Sequence, residues 1–115
     1  MPAGSTPVFM ARAAGVSDQP GLQRSCMERL QIRFHGRVQG VGFRATARAV
    51  AAGIPVSGWV RNEEGGSVLM EVQGAGAAVE SFLAALRSRF RGHIAAEDVA
   101  PMAVVEEETR FEIRR

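Results

Sequence analysis

Val56-Ser57-Gly58-Trp59-Val60-Arg61-Asn62-Glu63-Glu64-Gly65-Gly66-Ser67-Val68-Leu69-Met70-Glu71-Val72-Gln73 reads as two strands joined by a tight turn. Val56 to Asn62 is a strand candidate, and Val68, Met70 and Val72 alternate with Leu69, Glu71 and Gln73 in the next. The five residues between them are short and glycine-bearing, which makes a hairpin and sets the two strands antiparallel. A doubly wound nucleotide-binding fold needs a parallel second strand, so this hairpin turns the chain toward another architecture.

Outward from the hairpin, both flanks carry a helix. Upstream, Phe43, Ala47, Val50, Ala51 and Ile54 recur at helical spacing, and Gly53 and Pro55 supply stop signals. Before them Leu30, Ile32 and Phe34 alternate with Gln31, Arg33 and His35, the period-two pattern of a strand with one buried face. Downstream, Ala75 to Arg91 places Val79, Phe82, Leu83, Leu86 and Phe90 on one helical stripe, closed by Gly92. Val99 to Val105 and Phe111 to Ile113 are the last strand candidates, separated by the acidic turn Glu106-Glu107-Glu108. The order is βαββαβ plus a short final strand. Two split βαβ units of this kind predict a ferredoxin-like α+β sandwich, an antiparallel sheet with two helices on one face. The polar alternation in the first and third strands agrees, since an antiparallel sheet can leave one face in water.

Composition narrows the setting. With 115 residues the chain has room for one domain, and 46% hydrophobic content is ordinary for a globular core. All 14 basic residues are Arg, but they are scattered and the formal net charge is only +2, so nucleic acid is not implied. Cys26 is the only cysteine, which excludes an intrachain disulfide or a cysteine-cluster metal site and fits a reducing cytoplasm. His35 and His93 have no companion at ligand spacing, so no metal site is expected. No apolar run approaches the roughly 20 residues that a membrane-spanning helix needs.

Residues 1–27 are rich in Ala, Gly, Ser and Pro without helical or strand periodicity. They read as a disordered N-terminal extension to a domain over residues 28–115. The extension lacks the basic start and apolar centre of a secretory signal. A transit peptide, or a true start at Met10 or Met27, remains compatible with it.

Chemistry concentrates between the first strand and the first helix, in Gly36-Arg37-Val38-Gln39-Gly40-Val41-Gly42-Phe43-Arg44. Glycines take positive φ without steric cost, so successive backbone N–H groups can curl around an anion. The turn then opens a helix, whose first N–H groups and positive dipole end favour negative charge. Arg44 adds a cation in the first helical turn, where the dipole alone would prefer an acid. A cation set against that preference points to an anionic ligand, phosphate above all.

Three glycine or sheet motifs compete for this reading. Gly40-x-Gly42-x-x-Ala45 superficially matches the dinucleotide fingerprint, with Glu63 or Glu64 about 20 residues on, but the hairpin denies it the fold. A P-loop requires a Lys that the chain lacks. RNA-recognition modules share the ferredoxin-like order, yet they display aromatic residues on their central strands. Here Ser67 to Gln73 has no aromatic, Tyr is absent, and Trp59 is a packing candidate rather than a base platform.

The glycine turn together with Gly58-Trp59-Val60-Arg61-Asn62 resembles the paired signature of the acylphosphatases, in order, spacing and secondary-structure setting. Phe111-Glu112-Ile113 resembles the family's closing strand, so the similarity runs from about Arg29 to Arg115. The resemblance implies metal-free, cofactor-free hydrolysis of the carboxyl–phosphate bond of small acyl phosphates. By position, Arg44 would bind the phosphoryl group, Asn62 would orient the attacking water, and the backbone N–H groups of Gln39, Gly40, Val41, Gly42 and Phe43 would form the cradle. Inorganic phosphate or sulfate is the implied site ligand, and a monomer is the expected state. A non-catalytic phosphate-binding or regulatory domain is the alternative, ahead of an RNA-binding module. Two departures stand out: Gly65-Gly66 where the family has Asp-Gly, and Glu63 and Glu64 directly after Asn62. Both acids are expected to face solvent, because turned inward they would repel a dianion.

Elementary chemistry agrees with those roles. A guanidinium presents a planar fork to two phosphate oxygens, which an ammonium cannot. Phosphoryl transfer depends chiefly on positioning and on stabilising charge on the equatorial oxygens. A carboxylate, with a pKa near about 4, departs without a strong general acid. Asn both donates and accepts hydrogen bonds, so it can hold water without placing a charge beside the phosphate.

Overall fold

The computed structural model describes residues 27–115. The extension expected over residues 1–27 lies outside them except for Met27, which belongs to the first strand of the domain. The elements run β1 (Met27–Gly36), α1 (Phe43–Ala51), β2 (Val56–Asn62), β3 (Val68–Ala75), α2 (Gly76–Arg89), β4 (Ile94–Met102) and β5 (Phe111–Ile113). They form one five-stranded sheet in the order β4-β1-β3-β2-β5, the split βαβ arrangement of a ferredoxin-like fold.

Alternation along the strands assigns the two faces. Ile32 and Phe34 of β1, Val60 of β2, and Val68, Met70 and Val72 of β3 are fully buried and share one core with Phe43, Ala47 and Ala51 of α1 and Val79, Phe82, Leu83 and Leu86 of α2. Both helices therefore cover the same face. Arg29, Arg33, Leu69, Glu71, Gln73, Ser57, Trp59 and Arg61 belong to the opposite parity and the outer face. Aromatic contacts tie the helices to the sheet: Phe43 sits 4.9 Å from Phe34 and 4.7 Å from Phe90, and Phe82 sits 5.4 Å from Phe111.

Four strands pair antiparallel as expected from the hairpin. The short β5 instead pairs parallel to β2, Trp59 opposite Glu112, so the sheet is mixed at that edge. The strand expected at 99–105 is also displaced: β4 begins at Ile94 and ends at Met102. It is an edge strand with most residues exposed, so Ala95, Ala96, Asp98 and Pro101 carry no hydrophobic alternation to mark it. The helices are shorter than their apolar stripes, since Gly53 and Pro55 lie past the end of α1 and Phe90 caps α2. No helix among the described residues is long and apolar enough to cross a membrane.

Candidate active site

The glycine turn is anchored before it becomes a cradle. Gly36 leaves β1 at φ 121°, and a Cβ there would lie 2.3 Å from the His93 carbonyl oxygen. Arg37 N–H donates to that same oxygen at 2.9 Å. Val38 is fully buried in the core, pinning the turn from within. Gly40 and Gly42 then take φ 78° and 80°, with nothing within 4 Å of either missing Cβ. Conformation, not crowding, requires glycine at both positions.

Gly42 is also the N-cap of α1, and it supplies no side-chain cap. The first helical bond runs from Thr46 N–H to the Gly42 carbonyl at 2.9 Å. The N–H groups of Phe43, Arg44 and Ala45 thus precede the helical ladder and have no intrahelical acceptor. No acid occupies this first turn. Buried Phe43 fixes the helix start against Phe34 and Phe90, so the donors point from a rigid base.

Asn62 arrives by strand parity. Val60 faces the helices, so two residues on Asn62 faces the same side, at the last register position of β2 opposite Val68. It lines a cleft of about 220 Å³ together with Val38, Gly40, Gly42, Phe43, Arg44, Ala45 and Ile113. Five expected residues therefore meet in one place: Gly40, Gly42, Phe43, Arg44 and Asn62. The side chain of Val41 is exposed at the turn and that of Gln39 is directed to the β2–β3 hairpin, so neither side chain lines the cleft. Val38, Ala45 and Ile113 complete the walls. Their signal in sequence was only apolarity or small size beside the motifs.

Proximity of the turn to Asn62 is not automatic, because β3 separates β1 from β2. Gln39 closes the gap. Its Nε2 donates to the Glu63 carbonyl and to the Ser67 carbonyl, each at 2.8 Å, joining the turn to the β2–β3 hairpin.

The charges arrange themselves around the cleft without filling it with acid. Glu64 is exposed as expected, but Glu63 is half-buried and turned to the outer face. Its carboxylate accepts from Arg33 Nε at 2.7 Å and Ser67 Oγ at 3.1 Å, with Arg61 at 3.7 Å. The Arg33 hydrogen bond chiefly holds the Glu63 carboxyl below its ordinary range; Ser67 and the Arg33 and Arg61 charges assist, against an opposing contribution from burial. Arg44 is half-buried and forms no salt bridge with an acid among the described residues. No cluster of three His, Cys, Asp or Glu among them could hold a metal ion. Trp59 is only 8% exposed, with the Arg61 and Arg114 guanidinium carbons 5.3 and 5.1 Å from its ring. So little of the ring is left open that it offers no base-stacking platform of the kind an RNA module needs.

A turn of donors, a guanidinium and a neutral amide around one small cleft suit an oxyanion and a water molecule. The acylphosphatase family model matches residues 30–113. The chain is 52% identical over 58 residues to an acylphosphatase of Mesorhizobium japonicum, covering 50% of this chain and 62% of that one. It is 36% identical over 90 residues to an acylphosphatase of Oceanobacillus iheyensis, covering 76% of this chain and 99% of the relative. The crystal structure of acylphosphatase from Bacillus subtilis superposes with a TM-score of 0.69 at 31% identity, over 76% of this chain and 99% of that one.

Proposed function

Because the chain belongs to the acylphosphatase family, a family of enzymes, we propose that it hydrolyses the carboxyl–phosphate bond of small acyl phosphates, releasing a carboxylate and inorganic phosphate. Arg44 grips two phosphoryl oxygens with its guanidinium fork, and the N–H groups from Gln39 to Phe43, continued by the start of α1, receive the remaining charge. Asn62 holds a water in line with phosphorus through its amide. Water oxygen bonds to phosphorus as the phosphorus–acyl oxygen bond breaks, and the leaving carboxylate takes the bonding pair. The water proton passes to a phosphoryl oxygen of the substrate. No protein acid is needed, since the leaving group is stable as an anion.

One observation carries this reading: Arg44 and Asn62, 18 positions apart by their numbers, line the same cleft at the bare N-terminus of α1. The turn of Glu63 toward Arg33 supports it further, because it takes the adjacent acid away from an incoming dianion. The reaction as proposed uses no metal or cofactor, and inorganic phosphate or sulfate binds the same cradle. The enzyme acts as a monomer in the cytoplasm, a compartment that the lone Cys26 suits.

Benzoyl phosphate hydrolysis in the presence of a chelator tests the proposal. Turnover with saturation by substrate and inhibition by inorganic phosphate is expected. A folded chain that binds phosphate but turns nothing over would instead indicate a phosphate-binding regulatory domain.

A further inference from the structure

The amide of Gln39 donates both its Nε2 protons to the hairpin, one to the Glu63 carbonyl and one to the Ser67 carbonyl. The Glu63 carbonyl belongs to the residue immediately after Asn62. Glu63 N–H in turn donates to the Ser67 carbonyl at 2.9 Å, so both of Gln39's acceptors belong to the closure of this hairpin. Among the described residues, these are the side-chain hydrogen bonds that span from the glycine turn to the loop joining β2 and β3.

Because β3 lies between β1 and β2, the ladder holds the strand ends two strands apart, Phe34 and Asn62 each opposite Val68, and no ladder bond joins the turn to the end of β2, so contacts beyond the ladder finish setting the distance between them. That distance decides the reaction geometry. A displacement of about 1 Å between reacting partners can cost about 100-fold in rate. We infer that Gln39 is a positioning residue: its two hydrogen bonds hold Asn62, and the water on it, in line with the phosphoryl group bound by the turn. This inference rests on the acyl phosphate reading above. It asks of residue 39 something the backbone cradle does not, namely two side-chain donors on an arm of glutamine's length. A carboxylate at this position would set an acceptor against two carbonyl acceptors.

Steady-state kinetics of Gln39→Ala, Asn62→Ala and the double variant read the coupling. Gln39→Ala should lower kcat by between about tenfold and about 100-fold, while inhibition by inorganic phosphate changes by less than about threefold. In the Asn62→Ala background the same change should cost less than about twofold, since no positioned water remains to misplace. Gln39→Glu should be as slow as Gln39→Ala at neutral pH. An equal loss in both backgrounds, or near-native kcat for Gln39→Glu, would overturn the inference. Gln39→Met, similar in length but without donors, replaces the alanine variant if that one does not fold. Inactivity of the unmodified protein would count against the acyl phosphate reading alone. The strut is then read by NMR: the Asn62 side-chain amide should follow a titration with inorganic phosphate, and lose that response in Gln39→Ala. An unchanged response would reject the strut.

Discussion

Arg29 Nη1 meets Glu108 Oε1 at 2.8 Å across the outer face of the sheet, although the two residues lie 79 positions apart. Between β4 at one sheet edge and β5 at the other, the chain must cross that face, and this contact is where it is fastened. Glu108 also accepts from Ser57 Oγ of β2 at 2.8 Å. Arg29 reaches Glu71 at 2.6 Å and Gln73 at 3.1 Å on β3. Gln73 then exchanges two hydrogen bonds with the Val105 backbone, at 2.7 and 2.9 Å. The crossing segment is pinned to three neighbouring strands, and Arg29 is left only 3% exposed.

Removing Glu108 should therefore destabilise the fold without touching the chemistry. Glu108→Gln leaves a buried guanidinium with Glu71 as its remaining carboxylate, a loss of about 2 kcal/mol. Urea unfolding should show the drop, with kcat for benzoyl phosphate unchanged. Burial is the largest single influence on the Glu108 carboxyl and pushes it up, but hydrogen bonds from Arg29 and Ser57 and the charges of Arg29 and Arg114 together hold it below its ordinary value. A depressed folded-state value means stability that is present above the unfolded carboxyl pKa and is lost as pH falls through the folded one. The unmodified protein should lose stability on acidification below about pH 4, and Glu108→Gln should show a shallower decline there.

Arg44→Lys tests the fork. The ammonium keeps the charge but offers no planar pair of donors, so two phosphoryl oxygens cannot be held at once. We expect kcat/KM to fall by about 100-fold or more, with weaker inhibition by inorganic phosphate. The fold should be undisturbed, because Arg44 forms no salt bridge among the described residues. Near-native kinetics would remove Arg44 from the phosphate site.

The sequence made much of this legible because its strongest signals are local. Alternation in β1 and β3, the glycine-bearing turn at 63–67 and the apolar stripe of α2 each depend on neighbours in the chain. The features that escaped, the bounds of β4 and the pairing of β5, depend on distant partners. β4 is an exposed edge defined by its pairing with β1, and β5 chooses a parallel partner in β2 that no local pattern announces. The same holds at the site. Arg44 and Asn62 stood out by their motifs, whereas the Gln39 side chain acquires its work only once β3 intervenes between the two halves of the cleft. No pattern in the sequence singled out Arg29, and Glu108 was one acid of the turn Glu106-Glu107-Glu108. Their burial follows from a crossing that only the assembled sheet requires.

Asn62→Ala should separate binding from turnover. The phosphoryl group is held by the turn and Arg44, so inhibition by inorganic phosphate should persist within about threefold, while kcat falls by about 100-fold. A variant with raised KM and unchanged kcat would show that Asn62 contacts the substrate uniformly and does not hold the water. Single-turnover measurements distinguish the two, since only a loss in the chemical step slows the burst.

Two glycines should lose different amounts of stability on change to alanine, because different physical demands fix them. At Gly40 a Cβ would meet nothing within 4 Å, and only the φ of 78° opposes it. Gly40→Ala should cost about 1 kcal/mol, little enough to fold, and the strain should appear as a higher KM and weaker phosphate inhibition as the cradle relaxes. At Gly58 a Cβ would stand 1.9 Å from the Glu71 carbonyl oxygen, with φ at 145°. The glycine lets β2 press its backbone against β3 while its N–H turns to the Arg110 carbonyl at 3.1 Å. Gly58→Ala must push two paired strands apart, so a loss above about 3 kcal/mol is expected, the scale of changes with no room to relax. Paired urea titrations and kinetics of the two variants settle the matter. A Gly58→Ala protein as stable as Gly40→Ala would show that the β2–β3 contact yields, and that the tight approach at Glu71 is not what selects glycine there.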